Sequence, residues 1–75
     1  MDIEKLAEIQ HAIWSHWMRY FFTCCREMPH SGNLIVPFEK VERWTKQANT
    51  PYDQLSEEEK ESDRDIIRKF LSDAL

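Results

Sequence analysis

The stretch "MPHSGNLIVP", residues 28–37, divides the chain. Before it, from Asp2 to about Met28, there is neither proline nor glycine. Pro29 cannot continue a helix, and Gly32, the only glycine, sits beside Asn33 in a turn. The apolar "LIV" that follows predicts a brief extended strand, and Pro37 suits the opening turn of a second helix. The stretch is therefore read as an extended or hairpin link between two helices.

On the N-terminal side, turning 100° per residue puts Ile3, Leu6, Ile13, Trp14, Trp17, Met18, Phe21, Cys24, Cys25 and Met28 within one broad arc. Lys5, Glu8, Ser15, His16, Arg19, Thr23 and Arg26 fall opposite. The spacing predicts one long amphipathic helix. Its apolar arc is wider than the stripe of an ordinary surface helix, which points to a partner chain or a ligand. An interface over Trp17, Tyr20, Phe21 or Cys24 of a homo-oligomer follows as an expectation.

On the C-terminal side, Pro37, Val41, Trp44 and Ala48 recur as one face of the second helix, which Asn49, Thr50 and Pro51 end. Ser56 then opens a third helix with a capping box: its hydroxyl is expected to accept from the Glu59 amide while the Glu59 carboxylate accepts from the Ser56 amide. Glu57 and Glu58 suit the positive end of the helix dipole. Ile66, Ile67, Phe70, Leu71 and Ala74 form the expected buried face, and its backward projection carries Lys60, Asp63 and Arg64. Unpartnered buried charge costs several kcal/mol. These three are therefore a solvated rim, an internal ion network, or groups aimed at a ligand. The fold class is mainly α: one compact three-helix domain over residues 1–75.

Composition narrows the function. A chain of 75 residues buries only about 60% of the surface its unfolded form exposes, so reinforcement is expected. Adjacent Cys24 and Cys25 neither staple a loop nor match a zinc site, and read as reduced core or interface thiols of a cytoplasmic protein. Aromatic residues, three Trp, four Phe and two Tyr, supply the packing mass instead. A net charge of −4 argues against general nucleic-acid binding. No segment reaches the roughly 20 apolar residues of a membrane span, and the acidic start is unlike a signal peptide. The middle of the chain is nevertheless locally basic, with Arg19, Arg26, Lys40, Arg43 and Lys46 against an acidic last third.

An enzyme is the weakest class. The thiols have no base at readable spacing, and one glycine cannot build a phosphate-cradling loop. His11, His16 and His30 form no ligand set with the cysteines, so no metal and no cofactor is expected.

"HAIW" (11–14) followed by "TPYDQLSEEEKESDR" (50–64) resembles the ryanodine-receptor repeat domain, whose pattern runs His-x-x-Trp early and Pro-Tyr-x-x-Leu-x-x-x-x-Lys-x-x-Asp-Arg late. With "IWSHWMRY" (13–20) and "VERWTKQ" (41–47), the chain is still more similar to small phage and prophage proteins that share that ending. The aromatic-glycine segment after the first helix of the receptor repeats is replaced here by "TCCREMPHSGN", and only one copy of the unit is present. The resemblance implies a phage-type protein of the bacterial host cytoplasm and binding of a nucleotide-derived ligand.

The residues supply matching chemistry. His11, Trp14 and Met18 share one edge of the first helix, Arg43, Trp44 and Gln47 line the second, and Tyr52, Lys60 and Arg64 border the third. Aromatic faces, guanidinium groups and an amide are what a pocket for an anionic nucleotide needs. The leading expectation is a small non-catalytic module binding such an anion, as a sponge or sensor. The alternative is an assembly module acting through an oligomeric helical interface. A pocket requires Arg43, Lys60 and Arg64 to converge; an interface requires them dispersed around an apolar patch.

Overall fold

The computed structural model describes residues 2–71. It contains helix α1 (Ile3–Cys24), strands β1 (Arg26–Glu27) and β2 (Leu34–Ile35), helix α2 (Phe38–Ala48), a 3-10 turn (Tyr52–Gln54) and helix α3 (Glu57–Leu71). The three-helix class with a hairpin between the first two helices is the one expected.

Asp2 caps α1, its carboxylate accepting from the Glu4 amide at 3.1 Å. The helix ends at Cys24, four residues before the predicted end at Met28. Cys25 is already extended, and Arg26 and Glu27 pair antiparallel with Ile35 and Leu34. Apolar periodicity runs on through Cys25 and Met28, but Arg26 and Glu27 pair instead with residues nine and seven positions further along the chain. The Met28 amide donates to the Asn33 carbonyl at 2.9 Å, closing a loop in which His30 (φ 63°) and Gly32 (φ 76°) adopt left-handed backbone.

The second helix opens on Pro37, whose carbonyl accepts from Lys40 and Val41. Of its expected face, Trp44 is half-buried, whereas Val41 and Ala48 are exposed. Trp44 packs on Phe21 of α1 with ring centroids 5.7 Å apart. The capping box of α3 forms in both directions, each bond 3.1 Å. Of the expected α3 face, Ile66, Phe70 and Leu71 are half-buried, and Ala74 lies outside the described residues. Ile67 departs from expectation at 49% exposure.

The main helix pairing is α1 with α3. Its position corrects the sequence reading: His16, assigned to the polar side of α1, is half-buried and meets Phe70 edge-on at 5.6 Å. Ile9, Ala12 and Ile13 are half-buried on the same side. Docking here leaves much of the apolar arc uncovered, with Ile3 73%, Trp14 55%, Leu6 38% and Trp17 38% exposed. None of the described residues is fully buried.

The dimensions agree. The chain is 46 × 29 × 17 Å with a radius of gyration of 15.3 Å, against about 11 Å for a compact domain of this length. Its accessible surface is 6311 Å², whereas a compact monomer of its mass exposes about 4,900 Å².

Candidate functional site

The expected site residues divide into separate groups. On α1, the His11 ring stacks on Trp14 with centroids 6.0 Å apart and planes 21° apart, and Met18 is half-buried. Both rings are solvent-exposed, as one helical turn separates them on the outward edge.

The second group lies where the 3-10 turn meets α3. Tyr52, Asp63, Arg64, Ile67 and Arg68 line a shallow groove of about 490 Å³. The Lys60 ammonium stands over the Tyr52 ring, 5.9 Å from its centre, in a cation–π arrangement. That placement keeps the Lys60 side chain only 19% exposed. Arg68 and Ile67 were not anticipated. Their signal was the spacing from Arg64, which places all three on adjoining positions of one helix surface.

The cations of this groove are paired within α3. Arg64 Nη1 donates to Glu61 at 3.0 Å and to Glu57 at 3.3 Å. Arg68 Nη1 donates to Glu61 and to Asp65, each at 2.6 Å. Lys60 lies 3.9 Å from Glu57. The expected trio of Lys60, Asp63 and Arg64 is thus replaced by a ladder along one helix, Lys60–Glu57–Arg64–Glu61–Arg68–Asp65. Its electrostatics follow from contact: the hydrogen bonds from Arg68 and then Arg64 hold the Glu61 carboxyl below the ordinary carboxylate range. Glu61 and Glu57 in turn raise the Arg64 guanidinium further above its already high value.

The α2 residues belong to neither group. Trp44 faces Phe21, and Gln47 is half-buried. The charges of Arg43 and Lys46 fall on Glu59, whose carboxyl is lowered first by the Ser56 amide, then by the Ser56 hydroxyl, and further by these two cations. Arg43 is not among the residues lining the Tyr52 groove, whereas Arg64 lines it and Lys60 stands over the Tyr52 ring.

The thiols are free and half-buried, with Cys25 Sγ donating to the Phe21 carbonyl at 3.3 Å. Among the described residues, no cluster of three or more His, Cys, Asp or Glu is placed to hold a metal ion. None of their helices is long and apolar enough to cross a membrane.

These features define a three-helix, hairpin-linked module with a self-paired ionic helix and an uncovered aromatic face. Comparison with protein-family models, curated proteins and solved structures finds no match.

Proposed function

We propose that the chain is a non-catalytic assembly module that associates with a second copy of itself through the exposed apolar face of α1. The observation that carries this reading is the uncovered area. The chain exposes roughly 1,400 Å² more than a compact monomer of its mass, and a standard interface buries about 800 Å² per partner. Ile3, Leu6, Trp14 and Trp17 contribute to that excess, and each gains from leaving water.

The anion-binding reading has less support. The groove and its ladder bring Lys60, Arg64 and Arg68 together with Glu57, Glu61, Asp63 and Asp65, so cations are outnumbered by carboxylates. A phosphate entering there must displace carboxylates that already satisfy the guanidinium groups. Arg43, the third cation such a pocket requires, is not among the residues that line the groove.

Sedimentation velocity from low to high micromolar concentration tests the proposal: a dimer or larger species is expected, and a monomer throughout refutes it. A thermal-shift series with nucleotides, cyclic nucleotides and inorganic phosphate is expected to be flat. A ligand at one hundred times its dissociation constant would add about 2.7 kcal/mol, and such a rise would restore the anion reading.

A further inference from the structure

Five exposed positions of α1 have a symmetry that specifies how two copies meet. Ile3, Leu6, Gln10, Trp14 and Trp17 are all exposed and fall within an arc of about 80° at 100° per residue. Their spacings are three, four, four and three residues, so the row is palindromic about Gln10. The two residues before the centre are aliphatic, and the two after it are indoles. The α3 helix leaves this row open because it docks on the neighbouring side, at His16.

We infer that two chains pair antiparallel along α1 about a two-fold axis at Gln10, with Ile3 opposite Trp17 and Leu6 opposite Trp14 of the second copy. This rests on the assembly reading and adds its register.

The argument is one of volume. In an antiparallel pair every aliphatic residue faces an indole, so the bulk of the seam is even along its length. A parallel pair sets Trp14 against Trp14 and Trp17 against Trp17, crowding four indoles at one end. Ile3 and Leu6 would then face their own kind across a gap at the other. Overpacking at one end and a void at the other are both destabilising.

Polarity gives the same answer. The Gln10 side chain carries a donor and an acceptor, so two copies related by a two-fold axis satisfy each other, and one polar group within an apolar seam fixes register. Helix dipoles also oppose in the antiparallel arrangement. The row extends about 21 Å from Ile3 to Trp17, and its side chains supply part of the whole-chain surface in excess of a compact monomer, an excess larger than a standard interface buries per partner.

Disulfide trapping tests the register in the full chain carrying Cys24→Ser and Cys25→Ser, after sedimentation shows that this background associates as the parent does. Positions 6 and 14 lie about 12 Å apart along one helix, too far for a bond within a chain. Under mild oxidation Leu6→Cys/Trp14→Cys is expected to form a covalent dimer at least tenfold faster than Leu6→Cys alone. Equal or faster trapping of Leu6→Cys alone means a parallel pair and overturns the inference. If the parent associates and the double variant does not trap, the register is wrong while the assembly reading stands. A monomeric parent removes both.

Should the serine background misfold, Leu6→Lys and Trp14→Glu are made in the parent with both cysteines retained. Each chain alone is expected to be monomeric with unchanged helicity, and a mixture is expected to re-associate, because Lys at position 6 then faces Glu at position 14. Failure of the mixture to re-associate, or association of either variant alone, overturns the register.

Discussion

Ser56→Ala removes one half of a reciprocal pair and tests where α3 begins. In the parent, the Ser56 hydroxyl accepts from the Glu59 amide at 3.1 Å and the Glu59 carboxylate accepts from the Ser56 amide at 3.1 Å. Alanine leaves the Glu59 amide without its acceptor at a helix end that has few alternatives. The loss of such a cap costs about 1 kcal/mol, which in a domain of this length lowers the melting temperature by roughly 4–8 °C. Thermal unfolding followed by circular dichroism at 222 nm, at one fixed protein concentration because association shifts the midpoint, measures it. The effect also has a sign in pH. The Glu59 carboxyl is held below its ordinary value of 4.5 by Ser56, so its contribution to stability is present above that value and lost as pH falls through the lower folded-state value. The backbone amide, the larger cause, remains in the variant, so only the share due to the Ser56 hydroxyl differs, and the gap between parent and variant is expected to narrow slightly on acidification below about pH 4.5. Superimposed unfolding curves at pH 7 would refute the cap. A difference that widens in acid would refute the assigned role of Glu59.

Two other substitutions probe separate links. Arg64→Ala opens the α3 ladder between Glu57 and Glu61 and should lower the melting temperature in low salt, with the loss shrinking in 1 M sodium chloride because the ladder is at the surface. An unchanged melting temperature would mean that the ladder contributes nothing to stability, and a raised one that Arg64 is held at a cost to the fold, as a ligand-binding group would be. Gly32→Ala places a side chain at φ 76° with no atom within 4 Å of the new Cβ, so backbone strain of about 1 kcal/mol is expected without a clash. Urea titration measures that loss, and a midpoint at or above the parent's would show that the hairpin loop contributes nothing to stability.

Local chemistry made much of the fold legible. The Ser56–Glu59 box depends on groups three residues apart, and the Pro29–Gly32 turn on backbone preferences that no distant contact needs to supply. The helical content of α1 followed from composition and period in the same way. The candidate site was legible only in pieces. Tyr52 and Arg64 do line one groove and Lys60 stands over the Tyr52 ring, but Arg43, Trp44 and Gln47 do not line it, because a helical projection gives faces and not the rotation of one helix against another.

Three features were decided by tertiary structure. The first helix stops at Cys24 instead of Met28 because Arg26 and Glu27 find strand partners across a loop, a contact that periodicity within the helix does not encode. The ions of α3 pair along their own helix, since carboxylates three and seven residues away lie within hydrogen-bonding reach of Arg64 and Arg68. Most consequential is the docking side of α1. Sequence establishes that this helix has more apolar surface than two short helices can cover, because that is a matter of residue types on a cylinder. Which part stays open depends on where α3 docks, with Phe70 seated against His16, and that placement leaves Leu6, Trp14 and Trp17 facing solvent.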